Sequence, residues 1–224
     1  MFEISDDVKI NEEIVDDSII YTIDNFYKNP DQIVNYFWQY KPKLWKSYES
    51  PTYNNIHFED RRHMILNKEI DRVYLFLQNI CNQQPLNSNY YMLCSNASRF
   101  YKNKFNDYGN NYWWPHTDSG YTAIVYFNKN DFESGTNLYK IKNNLEEPPK
   151  NCPEHFQPWR KKDNFHLIKK IKPNYNRLIF FDGLKFTHGM NVCNDRYFSN
   201  EYRFNQVFFF QDLNYQNTNS YHDN

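Results

Sequence analysis

The sequence predicts a mainly β fold with helical support, a β-sandwich or jelly roll buttressed by helices near the N-terminus. Three observations predict it. The two segments with helical spacing of apolar residues both fall before residue 83. Almost every later stretch is a short run rich in Val, Ile, Phe and Tyr, bounded by turn residues. One of those runs, Arg177 to Phe181, is almost wholly apolar and so reads as a strand buried on both faces. At 224 residues the chain is long enough to bury a core within one domain.

Ser18 to Phe26 alternates well enough for a first strand. Asn29-Pro30-Asp31 supplies an N-cap, a proline at the first helical position and an acid in the first turn. That helix is expected to end near Tyr40, before Pro42. Lys41 to Leu66, with Trp45, His57 and Arg61-Arg62, reads as loop with short strands. A second helix is expected from Lys68 to Asn82, because Ile70, Val73, Tyr74, Leu77, Ile80 and Cys81 share one face. Strands follow at Tyr90–Lys102, Tyr121–Asn128, Thr136–Ile141, His166–Ile171, Arg177–Phe181 and Tyr202–Gln211, the last closing the sheet. Asn103 to Trp114 is a polar, aromatic insertion, and 142–164, with Pro148, Pro149, Pro153 and Pro158, is a surface loop. The expected organisation is a single domain, 1–224. Residues 1–89 give a strand plus supporting helices, 90–212 the β core and 213–224 a flexible tail.

Net charge is −1, which removes any bulk attraction to nucleic acid or to an anionic membrane. Cys81, Cys94, Cys152 and Cys193 are widely spaced with no CxxC pair, which disfavours zinc and disulfide frameworks. The acidic start, Met1 to Asp7, lacks a signal-type apolar segment, and no apolar run reaches membrane-spanning length. The expectation is a cytoplasmic protein.

The chemistry concentrates in Pro115-His116-Thr117-Asp118-Ser119-Gly120, directly before the run Tyr121 to Phe127. His116 and Asp118, two residues apart at the mouth of a strand, point to one face and can converge on one metal ion. His188 follows the apolar run ending in Phe181-Asp182-Gly183. Two imidazoles and a carboxylate have the composition of a facial triad, which leaves positions open on Fe(II), unlike a closed structural zinc site. On the last strand, parity puts Arg203, Asn205, Val207 and Phe209 on one face, aiming a cation among apolar residues. A buried Arg needs an anion, and a carboxylate co-substrate held by the guanidinium fork answers that need.

His116-x-Asp118, the distant His188 and Arg203 on the last strand together resemble the Fe(II)- and 2-oxoglutarate-dependent oxygenase superfamily, nearest its prolyl-hydroxylase-type branch. The likeness covers roughly residues 90–212 and implies a double-stranded β-helix (jelly-roll) core. Ile124-Val125-Tyr126-Phe127 resembles the strand whose Tyr helps bind 2-oxoglutarate, which falls on Tyr126. Ser134-Gly135-Thr136-Asn137-Leu138 is similar to a Gly-Gly-x-Leu turn, with Ser for the first Gly. Tyr101 occupies the place of a further pocket Tyr. The family's anchoring Arg usually lies earlier after the distal His, where this chain has Phe198. Arg203 therefore requires a longer intervening loop, and Arg196 is its rival.

The resemblance implies Fe(II) on His116, Asp118 and His188, and 2-oxoglutarate on Arg203, Tyr126, Tyr101 and Asn205. It further implies O2 as oxidant, with succinate and CO2 formed as a C–H bond is hydroxylated. Asp118 stands where halogenating relatives carry a small residue, which favours hydroxylation. The substrate is a protein or peptide side chain or a small molecule, with selectivity expected in Lys41–Leu66, Asn103–Trp114 and Lys142–Asn164. Two other classes compete: a catalytically silent jelly-roll binding module, and a cupin-like metal enzyme without 2-oxoglutarate. A nucleic-acid oxygenase would want a basic groove, for which the near-neutral charge gives no support. His57, His63, His155, His166 and His222 show no partner spacing. Trp113 and Trp114 fit a substrate mouth or a core equally. Arg61-Arg62 and Arg160-Lys161-Lys162 read as solvated surface.

Overall fold

The structure is a computed structural model and describes residues 2–44, 46–49, 55–60, 67–80, 90–100, 102–142, 159–198 and 200–211. In chain order the elements are β1 (Lys9–Val15), β2 (Ser18–Asp24), α1 (Pro30–Leu44), β3 (Lys46–Glu49), β4 (Asn55–Asp60), α2 (Asn67–Ile80) and β5 (Tyr90–Phe100). After a 3-10 segment at Lys102–Gly109 come β6 (Asn111–Trp113), β7 (Gly120–Tyr126), β8 (Thr136–Ile141), β9 (Trp159–Lys161) and β10 (Phe165–Ile171). The last three strands are β11 (Leu178–Asp182), β12 (Thr187–Met190) and β13 (Arg203–Gln211).

Eight strands pair antiparallel in the order β1-β2-β11-β7-β13-β5-β4-β3. A smaller sheet, β10-β8-β12, lies against it, and β6 pairs with β9. The twofold alternation of strand side chains divides the large sheet between two cores. From β7, Ala123 and Val125 join a core with Ile33 and Phe37 of α1 and Val73 and Leu77 of α2, while Ile124 and Tyr126 enter the space between the sheets. From β11, Leu178 and Phe180 take the helix side, and Ile179 and Phe181 meet Leu138 and Ile171 of the small sheet. A strand buried on both faces is what the apolar run at 177–181 predicts. Each such aromatic or aliphatic side chain contributes roughly 1.5–3 kcal/mol by leaving water. A third cluster, Phe100, Trp113, Val192, Tyr197 and Phe198, packs at the end where the candidate site lies.

Three differences from the sequence expectation have physical reasons. β13 does not close the sheet but lies in its middle, between β5 and β7, with Phe204, Phe208 and Phe210 buried on the helix side. Order along the chain does not encode order across a sheet, and a strand whose helix-side face is mostly aromatic, with Gln206 buried and accepting from the Tyr27 hydroxyl, is better served by two neighbours. Helix α1 passes Pro42 and ends at Leu44; proline falls in the last turns, where the missing amide removes a single intrahelical bond. The hairpin partner β1 went unread because Lys9–Val15 is polar, exposed and only loosely alternating. Its two-residue turn, Asp16-Asp17, takes positive φ at both positions (47° and 61°), as the twist of a tight hairpin demands. Within the surface loop expected at 142–164, the described part holds β9 and a short 3-10 turn at Lys162–Asn164.

Asn176 ties β11 to the α1 entrance. Its side chain accepts from the Tyr27 amide (2.9 Å) and donates to the Tyr27 carbonyl (2.8 Å), from a left-handed backbone at φ 61°. Asn176→Ala leaves both buried groups of Tyr27 unpaired and adds backbone strain. The expected loss is about 2–4 kcal/mol of unfolding free energy in urea titration; an unchanged midpoint would contradict this role.

Candidate metal centre

The turn between β11 and β12 carries the chain from the large sheet to the small one in a few residues. Asp182 shapes it, its Oδ1 accepting from the amides of Leu184 (2.9 Å) and Lys185 (3.2 Å). Gly183 then lies against the start of β7, donating to the Gly120 carbonyl and accepting from the Asp118 amide (both 2.9 Å). A Cβ at this position would sit 2.6 Å from the Gly120 oxygen and 2.9 Å from the Asp118 Cβ, so only glycine permits the approach. Just beyond, His116 and His188 form an antiparallel bridge with two backbone hydrogen bonds, 2.9 and 2.7 Å. The structure brings His116, Asp118 and His188 together: one ligand atom from each lies within 4.8 Å of the others.

Each imidazole is held from behind. The His116 Nδ1 lies 2.8 Å from the Trp114 carbonyl and the His188 Nδ1 3.0 Å from the Phe186 carbonyl. A carbonyl only accepts, so both rings carry a proton on Nδ1 and point Nε2 toward Asp118. The Nε2 atoms stand 3.8 Å (His116) and 3.2 Å (His188) from the Asp118 carboxylate oxygens. The two histidines differ in setting. The His188 side chain is 5% exposed and its ring meets that of Phe181 edge-on at 4.9 Å, whereas that of His116 is 34% exposed. The Asp118 carboxylate also accepts a short hydrogen bond from the Thr122 hydroxyl.

Burial opposes ionisation of Asp118, but the His188 charge and hydrogen bond, His116 and Thr122 outweigh it and hold its pKa down to about 2. Burial likewise opposes charge on His188, yet Asp118 and the Phe186 carbonyl raise its pKa. Borderline nitrogen donors and a hard carboxylate, clustered and open on the His116 side, suit a divalent first-row metal with free coordination positions.

The remaining predicted residues lie as follows. Tyr126 is buried, its hydroxyl 2.6 Å from that of Thr136, and burial pushes its pKa up to about 12. The Arg203 guanidinium stands 5.8 Å from the Tyr126 ring centre, and its Nε donates to the Ser134 carbonyl at 3.2 Å. Among the described residues it has no ion pair with a carboxylate. Asn205 pairs in register with Tyr126 and is buried with its Oδ1 unpaired. Arg196 is engaged elsewhere, with Glu201 and the Asn130 carbonyl (both 2.5 Å). Tyr101 lies outside the described residues. Trp113 is core, packed with Phe100 and Trp159, and Trp114 is partly buried beside it. Lys162 is not merely solvated: its ammonium sits over the rings of Tyr108 (3.8 Å) and Tyr112 (5.2 Å).

Sequence reading missed Thr122, Thr136 and the buried pair Asp131–Tyr197 (2.7 Å), which braces the turn bearing Ser134 through the Ser134 amide. Thr122 had a findable signal, as the one non-aromatic polar side chain on the otherwise apolar strand that follows Asp118; Thr136, on the mixed strand Thr136–Ile141, had none.

Without metal, the Asp118–His188 pair sets the pH dependence of stability. Asp118 is depressed from 3.8 to about 2, so its contribution is complete above pH 3.8 and is lost as pH falls through 2. The full loss is roughly 2 kcal/mol. His188 is raised, so the same pair also weakens as pH rises through the His188 pKa. Unfolding of chelator-treated protein against pH measures this, and the acid limb is expected to vanish in Asp118→Asn.

No protein-family model matches the chain, and no curated protein matches it by sequence. Solved structures do. A prolyl-4-hydroxylase from Pseudomonas putida is 7% identical, with 81% of this chain and 85% of that one covered, at TM-score 0.43. The Fe(II)/α-ketoglutarate-dependent dioxygenase TqaL is 10% identical, covering 82% and 88%, at TM-score 0.36. The epimerase SnoN, solved with Fe3+, α-ketoglutarate and nogalamycin RO, is 10% identical over 82% of this chain and 74% of that one, at TM-score 0.50. The likeness to SnoN shows a shared fold, so the jelly-roll core with helical support expected from the sequence is the architecture of this chain.

Proposed function

We propose that the protein is an Fe(II)- and 2-oxoglutarate-dependent dioxygenase that hydroxylates a C–H bond of a protein or peptide side chain or of a small molecule. The observation that carries this reading is the convergence of His116, Asp118 and His188, with both Nδ1 atoms tied to backbone carbonyls and both Nε2 atoms facing one ionised carboxylate. When bound, ferrous iron and the 2-oxo acid supply the oxygen chemistry, giving succinate and CO2 while one oxygen atom enters the substrate C–H bond.

The chain's own contribution is orientation and exclusion of water. His116, Asp118 and His188 would hold the iron on one side and leave the other open. The Thr122 hydroxyl keeps the Asp118 carboxylate turned and ionised. At the other end, Arg203 carries a guanidinium fixed through its Nε, which leaves its terminal nitrogens for the far carboxylate of 2-oxoglutarate. Tyr126 remains a phenol well above neutral pH, so its hydroxyl can donate to that carboxylate. The Asn205 amide nitrogen, rather than its unpaired oxygen, complements the same group. Ile124, Ile179 and Phe181 form the apolar floor between the sheets.

The test is an anaerobic titration of metal-free protein with Fe(II) and then 2-oxoglutarate, following the visible charge-transfer band of the chelate. Wild type is expected to develop the band, and His188→Ala to lose it. Arg203→Ala is expected to need roughly thirtyfold more 2-oxoglutarate, the loss of about 2 kcal/mol for an unmatched carboxylate. Fe(II) binding without a band would transfer support to a metal enzyme that needs no 2-oxoglutarate. Absence of Fe(II) binding would leave a silent binding module.

A further inference from the structure

We infer that Trp114 is a positioning residue whose left-handed backbone, admitted by Gly189, aims its carbonyl at His116 and fixes that ring with Nε2 facing the triad. Among the described non-glycine residues with positive φ, Asp16, Asp17, Asn25 and Asn176 are types whose short polar side chains ease the conformation. Trp114, at φ 46°, is the bulky exception, and Pro115 directly after it restricts it further toward extended backbone. Such a conformation persists only where the surroundings enforce it.

The enforcement is visible on both sides of the residue. Trp113 is buried among Phe100, Trp159 and Phe198, and pairs with Trp159 in the β6–β9 ladder. Two residues after Trp114, His116 is bridged to His188. The chain must therefore turn sharply between two fixed points. Gly189 makes room for the turn: a Cβ there would lie 2.5 Å from the Trp113 oxygen and 3.1 Å from the Trp114 oxygen. The product is the 2.8 Å contact from the His116 Nδ1 to the Trp114 carbonyl. His188 has burial and the Phe181 ring to hold it, but the His116 side chain is a third exposed, so orientation from behind matters more there. The inference builds on the metal-centre reading of the triad, while its central observable, the ring tautomer, exists without metal.

Two substitutions separate backbone from indole. Trp114→Gly and Trp114→Val both delete the ring, but glycine adopts positive φ freely and β-branched valine resists it. In 15N-labelled metal-free protein, two-bond 1H–15N spectra, with His116 assigned through His116→Gln, are expected to show the proton on Nδ1 in wild type and Trp114→Gly. Trp114→Val is expected to lose that pattern with its circular dichroism intact. Co(II) affinity should stay within about threefold of wild type in the glycine variant and fall by at least about tenfold in the valine variant. Gly189→Ala should match the valine variant. Equal losses in Trp114→Gly and Trp114→Val would mean that indole packing, not the carbonyl, sets the ring, and would overturn the inference. Retention of the Nδ1–H pattern in Trp114→Val would overturn it too. If the tautomer follows the expected order while wild type binds no Co(II), the positioning inference stands and the metal reading falls.

Discussion

Two backbone hydrogen bonds between His116 and His188 fasten the mouth of β7, in the large sheet, to β12, in the small one. The rest of the candidate site depends on this bridge. It brings two imidazoles from distant parts of the chain side by side, one buried and one partly exposed, and the i to i+2 spacing then swings Asp118 to the same face. The turn at Asp182–Phe186 delivers His188, Gly183 lets that turn press against Gly120 and Asp118, and Thr122 completes the carboxylate's partners. Without the bridge these are three polar groups on two sheets. With it they form an acid and two bases too close together to remain electrostatically indifferent, which is why the Asp118 pKa falls to about 2 despite burial.

The opposite end of the space between the sheets is built on a different principle. Arg203 enters from the middle of the large sheet, beside Tyr126 on the neighbouring strand, and is steadied by a backbone carbonyl rather than by an acid. Asp131 lies one step behind, accepting from Tyr197 and from the Ser134 amide, so that the turn carrying the Ser134 carbonyl is itself braced. Burial opposes ionisation of Asp131, but hydrogen bonds from the Ser134 amide, Tyr197 and the Glu133 amide, with a smaller contribution from the Arg203 charge, outweigh it and lower its pKa. A cation supported at a distance, with its fork left open, is suited to an anion that comes and goes. An arginine already paired, as Arg196 is with Glu201, is not.

Much of this was legible in the sequence because it rests on short-range regularities. The alternation in Tyr121–Phe127, the apolar run at 177–181 and the helical face of Val73, Tyr74 and Leu77 follow from periodicity, and His116-x-Asp118 from parity. What was not legible depends on long-range pairing. Nothing local reveals that the last strand inserts between β5 and β7, or that polar Lys9–Val15 becomes an edge strand once Ser18–Asp24 offers it a ladder. The left-handed Trp114 was equally hidden, since residue type and a following proline argue against it; tertiary constraint from Trp113, His116 and Gly189 prevailed. The supporting threonines were visible as letters, but their role needs the fold: Thr122 reaches Asp118 four residues back, and Thr136 meets Tyr126 across the space between the two sheets.

X-ray absorption at the iron edge of anaerobically loaded protein tests the central claim most directly. The predicted first shell contains nitrogen and oxygen donors alone, with the outer-shell scattering of two imidazole rings, one of which disappears in His116→Gln. A shell containing sulfur, or one whose imidazole scattering is unchanged by loss of His116, would contradict the account.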